Sequence, residues 1–253
     1  MQMADAVSQL AQRIEKAKTI TVITGAGISA ASGVPTFRGK EGFWKSYSPQ
    51  DLATPEAFEK DPKLVWEWYD WRRGLISKCS PNAAHTVLAA WNKRYPCFTL
   101  ITQNVDHLHE EAGAEDVIHF HGSIWKVFCK DRCPSSPQSW IDKSFPLEKI
   151  PPNCPYCGSL IRPGVVWFGE TIESAVLEQS IAALDCDLFI TVGTSAVVYP
   201  AAGLAAEAHR RGAFTAEINL EETPASGMVD LPICGPAEVV LQEVELMLQK
   251  TGS

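Results

Sequence analysis

The stretch Thr19 to Gly39, TITVITGAGISAASGVPTFRG, constrains the fold more than any other part of the chain. Ile20, Val22 and Ile23 form a short β-branched run, the pattern of a strand buried on both faces. Gly25, Ala26, Gly27, Ile28, Ser29 and Ala30 then fit the G-x-G-x-x-G/A turn, which opens a helix and lets the backbone approach a pyrophosphate. Gly25 permits a tight turn, Gly27 removes a side chain where a phosphate must come close, and the helix N-terminus supplies N–H groups with partial positive charge. A plain packing turn has the same pattern, so both readings stay open at this point. One part of an ordinary dinucleotide fold is absent. An acidic residue is expected about 20 positions on, after a second strand, but Lys40 to Thr54 is polar and aromatic with no strand pattern. Within the loop that follows the turn, Thr36, Phe37 and Arg38 read as a lid: Phe37 to cover a planar ring, Arg38 to meet phosphate oxygens.

Three more buried strands end in polar groups. Phe98 to Thr102 leads into Gln103, Asn104 and Asp106; Leu188 to Val192 into Gly193, Thr194 and Ser195; Phe214 to Ile218 into Asn219, Leu220 and Glu221. Open α/β sheets bind ligands outside the carboxyl ends of their strands, so these groups suit an amide and sugar hydroxyls. Asn219 and Glu221 would supply the acidic function missing after the first turn. A shorter strand at Val117 to Phe120 delivers His121 beside Gly122, where an imidazole can act as a base. Val7, Leu10 and Ile14 are spaced for an amphipathic helix that packs on the domain.

Cys129-x3-Cys133 and Cys154-x2-Cys157 are two knuckles separated by 20 residues. Four thiolates at this spacing point to one structural Zn²⁺, in preference to disulfides, with no coordination position left for chemistry. Cys79, Cys97, Cys186 and Cys234 lack such spacing and read as small buried residues. Leu64 to Ile76 is helical in pattern, with Leu64, Val65, Trp68, Trp71 and Leu75 expected on the apolar side. Tyr69 and Arg72, three apart, project from one face and offer a phenol and a guanidinium to a single ligand, unless they make only a surface contact. His85 reads as structural. Arg162 to Glu170, including Val166, Trp167, Phe168, Gly169 and Glu170, is rich in strand formers and offers an edge for an extended peptide.

A formal net charge of −8 argues against general affinity for nucleic acid backbones and mildly favours lysine-bearing partners. No apolar run reaches the ~20 residues of a membrane span, and the N-terminus has no secretion signal. The cysteine usage suits a reducing intracellular compartment, mitochondrial or cytoplasmic, with the nucleus also open.

Taken in order, GAGISAASGVPTFRG, TQNVDHLH, HFHGS, the cysteine pairs, VVWFGE, VGTSAVVYPAA and INLEE resemble the sirtuins across most of the chain. The resemblance implies an α/β fold: a Rossmann-like parallel sheet from 1–39, 97–123 and 163–253, with a smaller domain made of a helical insertion, 40–96, and a zinc-binding module, 124–162. It implies an NAD-dependent protein lysine deacylase, with NAD consumed as co-substrate. Gly25 to Ser29 and Arg38 would hold the pyrophosphate; Gln103, Asn104 and Asp106 the ribose and nicotinamide. Gly193 to Ser195, Asn219 to Glu221 and Ala237 would line the adenosine side, and His121 would be the base. Nicotinamide would leave as the acyl oxygen attacks the ribose, giving free lysine and O-acyl-ADP-ribose. Tyr69 and Arg72, with room left by Ala53, resemble the branch that removes succinyl, malonyl and glutaryl groups. Val166 to Glu170 and Tyr199 would line the path of the acylated lysine segment, and a monomer is expected. His107 stands where many sirtuins have a small residue, and is expected to point to solvent. The alternatives are a deacetylase or ADP-ribosyltransferase without acidic preference, a hydride-transferring dehydrogenase, and a non-catalytic reader of acylated lysine.

Overall fold

The computed structural model of the chain describes residues 2–36, 47 and 49–251. Phe37 and Arg38 lie outside them. Helix α1 (Met3–Lys16) buries Val7, Leu10 and Ile14, as their spacing predicts, and leads into strand β1 (Ile20–Thr24), every residue of which is buried. After the short helices α2 (Ala26–Ser29), α3 (Pro49–Leu52) and α4 (Pro55–Lys60) comes α5 (Pro62–Ile76), then α6 (Ala83–Arg94). Strand β2 (Phe98–Thr102), helix α7 (Leu108–Glu111) and strand β3 (Ile118–His119) return the chain to the first sheet. Strands β4 (Gly122–Cys129), β5 (Trp140–Ile141) and β6 (Ile161–Val165) make a second, antiparallel sheet in the order β5-β4-β6. The rest is α8 (Ser174–Ala182), β7 (Leu188–Val192), α9 (Leu204–Arg210), β8 (Phe214–Asn219), β9 (Leu231–Cys234) and α10 (Ala237–Thr251).

The large sheet runs β3-β2-β1-β7-β8-β9 with every pairing parallel. Leaving out β4 to β6, that is the 3-2-1-4-5-6 order of a doubly wound nucleotide fold, whose direction reverses beside β1. Helices α1, α6 and α10 cover one face, where Leu10, Leu88, Trp91 and Val240 pack; Leu184, Leu204 and Ala208 cover the other. Burial on both faces is why β1 and β7 read as unbroken apolar runs. Strand β9 was not apparent from the sequence, because LPIC is short and holds Pro232, a residue tolerated at such a sheet edge.

The second unit has its own core, built from α4, α5, β4 and β6. Asp61 caps α5, accepting from the Leu64 amide at 2.9 Å, and Pro62 follows at the first helical position. The buried face of α5 differs from the expectation. Val65, Trp66, Trp68, Tyr69, Arg73 and Ile76 are buried, while Leu64, Trp71 and Leu75 are half-exposed. Polar anchors turn the helix: Trp66 Nε1 donates to the Ile161 carbonyl at 2.9 Å, and Arg73 donates to the carbonyls of Ile124 and Ser144. Helix α6 falls within 40–96 but packs on the large sheet, its Trp91 and Arg94 both donating to Glu245 of α10. Ala84, Val87, Leu88 and Ala89 of the same helix lie in the core of that sheet as well.

Candidate active site

The carboxyl ends of β1, β2, β7 and β8 open on one side of the sheet, and the glycines there decide how closely their loops meet. A Cβ at Gly25 would sit 2.9 Å from the Gly193 carbonyl oxygen, and one at Gly27 would sit 2.8 Å from the same atom. Gly193 has φ +60°, and a Cβ on it would lie 2.5 Å from the Ile28 nitrogen. These glycines are thus required by the contact of the β1 turn with the β7 turn, where the Gly27 amide donates to the Gly193 carbonyl at 2.8 Å. The result is a floor of bare backbone. Around it Ala26, Thr36, Thr194 and Ser195 are half-buried and Leu220 and Glu221 exposed. Gln103 Nε2 donates to the Thr194 hydroxyl at 2.9 Å, and Asn219 Nδ2 donates to the Thr194 carbonyl at 2.8 Å, tying the three strand ends together. Ile28 and Ser29 point inward and are fully buried. The Ala237 side chain packs in the large core at the start of α10.

Ser29 is the hub of a buried polar network. Its hydroxyl donates to Asp106 Oδ2 at 2.8 Å and accepts from Asn104 Nδ2 at 3.0 Å. His85 lies 3.4 Å away through Nε2; its Nδ1 accepts from the Asn82 amide, so the proton is on the nitrogen that faces Ser29. Asn104 also donates to the Gly25 carbonyl, and Asp106 accepts from the Leu108 amide. Burial raises the Asp106 carboxyl above its usual range, opposed by these hydrogen bonds and by Arg72.

His121 stands at the end of β3, where its Nδ1 lies 3.2 Å from the Gln103 carbonyl oxygen. A carbonyl only accepts, so Nδ1 carries the proton and Nε2 the free lone pair. Burial holds the imidazole below its usual range, with the Gln103 hydrogen bond acting the other way. The ring is therefore neutral near pH 7 and able to take a proton.

The four knuckle cysteines meet at the far end of the small sheet. Cys129 and Cys157 sulfurs are 3.7 Å apart, Cys133 and Cys154 sulfurs 3.9 Å, and all four lie within 4.8 Å of one another. A tetrahedron of 2.3 Å Zn–S bonds has edges of about 3.8 Å, so the tetrad is consistent with a structural zinc and lacks an open position.

The chain matches the model of the Sir2 family over residues 25–200. It is 49% identical over 236 residues to the NAD-dependent protein deacylase of Aquifex aeolicus (strain VF5), covering 92% of this chain and 97% of that protein. The chain belongs to the Sir2 family. Another Sir2-family relative, NAD-dependent protein deacylase 1 of Archaeoglobus fulgidus, is 45% identical over 248 residues, covering 97% of this chain and 99% of that protein. Among solved structures, a Sir2 homologue in complex with NAD superposes with a TM-score of 0.91 at 44% identity, covering 97% of this chain and 95% of that one. A Sir2 homologue variant bound to 2′-O-acetyl ADP ribose has a TM-score of 0.88 at 45% identity, covering 97% of both chains. The bare-backbone floor and the polar strand ends fit a dinucleotide of this kind.

On the other side of His121, this Sir2-family chain joins its two units through β6 and the residues after it. Val166 donates its amide to the His121 carbonyl at 3.0 Å, and Phe168 to the Ala53 carbonyl at 2.9 Å. Trp167 donates its amide to Glu170 and its indole N–H to the Tyr69 hydroxyl, 2.8 Å away. The edge expected over 162–170 is therefore narrower than the sequence suggests, because the amides of Val166, Trp167, Phe168 and Glu170 are already paired within the chain. Phe168 and Tyr199 remain exposed. Arg162, given no role from the sequence, makes paired bonds to both Glu170 oxygens and lies 3.6 Å over the Trp167 ring. Its eight-residue separation from Glu170 has no pattern that would betray this contact. Tyr69 is fully buried and burial pushes its hydroxyl up to about 12, so it stays a donor. Arg72 is half-buried 5.0 Å over the Trp68 ring, in electrostatic reach of Tyr69 and Asp106. His107 does not point to solvent: it stacks on His119, with 4.6 Å between ring centroids, and turns toward Glu110.

Proposed function

We propose that this member of the Sir2 family, an NAD-dependent protein deacylase, removes from lysine acyl groups that end in a carboxylate, such as succinyl, malonyl or glutaryl, in preference to acetyl. The observation that carries the reading is the guanidinium of Arg72 beside the buried phenol of Tyr69, on the α5 face that meets Trp167. A small apolar tunnel is enough for acetyl. A positive charge in partly dry surroundings is better matched by a carboxylate, which accepts two N–H bonds from the guanidinium and one from the phenol. Charged hydrogen bonds of this kind contribute about 1.5–3 kcal/mol each, a preference of roughly one to two orders of magnitude. Ala53, with its small side chain, leaves room for the longer acyl group.

NAD as substrate supplies the ribose that loses nicotinamide and accepts the acyl group. In this reading His121 Nε2 takes the proton from a ribose hydroxyl, while the Gln103 carbonyl keeps the ring in the required tautomer. Gln103, Asn104 and Asp106 orient the ribose, with Ser29 holding the last two in register. Thr194, Ser195, Asn219 and Glu221 meet the adenosine side; the roles read for Phe37 and Arg38 fall outside the described residues. The acylated lysine segment lies extended between Gly169 and Tyr199. Such a segment is a reasonable partner, since another Sir2 structure, 30% identical with a TM-score of 0.86, holds a deacetylated peptide and 3′-O-acetyl ADP ribose.

A deacetylase without acidic preference is the second reading, favoured by the acetyl ADP ribose found in these neighbours. Initial rates on one peptide carrying acetyl, malonyl, succinyl or glutaryl lysine separate the two. Arg72→Met is expected to raise KM for succinyl peptide at least tenfold, by loss of a charged hydrogen bond, and to leave acetyl turnover little changed. Equal losses on both peptides, or a wild-type preference for acetyl, would overturn the acidic reading.

A further inference from the structure

Three side chains outside the site described above converge where the loop after β2 meets β3. His107 Nδ1 lies 3.6 Å from Glu110 Oε1, and His119 Nε2 is hydrogen-bonded to the same oxygen. One donor atom from each residue lies within 4.8 Å of the other two. Two imidazoles and a carboxylate are the ligand set that first-row divalent metals accept in open protein sites.

The cluster is also not satisfied by its own contacts. Among the described residues, six side-chain nitrogen or oxygen atoms are buried without a hydrogen-bond partner, and Glu110 Oε2, His107 Nε2 and His119 Nδ1 are three of them. Buried polar atoms are normally matched, and unmatched ones rarely gather in one cluster. The backbone adds a further observation. His107 has φ 71°, a left-handed conformation that a residue with a side chain seldom adopts, and its ring faces Glu110, three residues on. Lys143 acts on His107 and Glu111, and Asp106 acts on Glu110 and Glu111, so carboxylates outnumber cations around the cluster.

We infer that His107, Glu110 and His119 form a binding site for one first-row divalent metal ion, separate from the four-cysteine tetrad. His119 coordinates through Nε2 once that proton has exchanged to Nδ1, so the ring stays neutral. His107 coordinates by turning out of its near-parallel stack on His119, where the planes now differ by 22°. The ion ties the loop that follows Asp106 to the strand that precedes His121.

The test uses the full chain with its cysteine tetrad loaded with zinc, titrated with Ni²⁺ by calorimetry in a non-chelating buffer at mildly alkaline pH. One further ion per chain is expected, with a rise in Tm and paramagnetic broadening of the His107 and His119 ring signals in NMR. His107→Gly suits the left-handed backbone and so keeps the fold. Loss of groups behind a ligand already lowers metal affinity about 10–100-fold, so loss of the ligand itself is expected to lower it more than about 100-fold. Glu110→Gln is expected to act in the same direction. Wild-type protein that takes up no further Ni²⁺ at micromolar concentration, or His107→Gly protein that binds it unchanged, would overturn the assignment.

Discussion

His121 Nδ1 lies 3.2 Å from the carbonyl oxygen of Gln103, so the strand end that would face the ribose also sets the tautomer of the imidazole. The same two strands, β2 and β3, thus supply both the candidate base and the group that orients it. Burial of the ring lowers its pKa, which for a base means more of the active, neutral form near pH 7.

His121→Ala is expected to lower turnover about 10²–10⁴-fold, the usual worth of general-base help, while the fold and NAD binding persist. In the wild type, the acid limb of kcat/KM should fall below pH ~6.5, the ordinary imidazole value, because the neutral form survives to lower pH. Rate profiles with saturating and limiting peptide check both. An acid limb above that value, or near-normal turnover in the variant, would make His121 structural.

Cys154→Ser is expected to leave three thiolates and to lose the zinc on dialysis. The small sheet should then unfold at lower temperature, and activity should fall indirectly, since metal binding and folding of such modules are coupled. Metal analysis before and after dialysis, with melting curves, reads the outcome. Active, folded wild-type protein that retains no zinc would defeat the claim.

Acid should destabilise the fold through two buried histidines. Burial pushes His85 down to about 4 and His109 to about 3, so both stay neutral in the folded chain where an unfolded chain would protonate. Folded values below the unfolded 6.5 mean that stability is fully present above pH ~6.5 and declines as pH falls toward 4. A shift of this size corresponds to about 3 kcal/mol for His85 alone. Melting temperatures from pH 7 to 4 should fall steeply for the wild type and less for His85→Gln. Parallel curves would assign the acid loss to other groups.

Gly193→Ala should be among the most damaging small changes in the molecule. Its φ is +60° and the added Cβ would meet the Ile28 nitrogen at 2.5 Å, on a turn that has no room to move. A loss above about 2 kcal/mol is expected, which for a chain of this size lowers Tm by roughly 5 °C or more. NAD affinity should weaken with it. An unchanged Tm would show that the two turns yield more readily than their geometry implies.

Much of this protein follows from residue order alone. β1 and β7 read as apolar runs because every residue of each is buried, while β2 starts half-buried and β8 holds a buried Glu217 among its apolar residues. The cysteine knuckles announce a metal site because a tetrahedron of sulfurs needs two short-range pairs. Tertiary packing decided the rest. Arg72 and Arg73 are neighbours in WRRG, yet a turn of about 100° per residue sends one toward Tyr69 and buries the other against the Ile124 carbonyl. Gly25 and Gly27 were legible as a phosphate turn, but it is the approach of Gly193, more than 160 residues on, that forbids their side chains. His107 reads as a surface residue until Glu110 and His119 are brought beside it by the fold. Periodicity and spacing record what a segment does to its own neighbours; contacts between segments distant in sequence leave no such period, and only their packing in three dimensions shows which side chains meet.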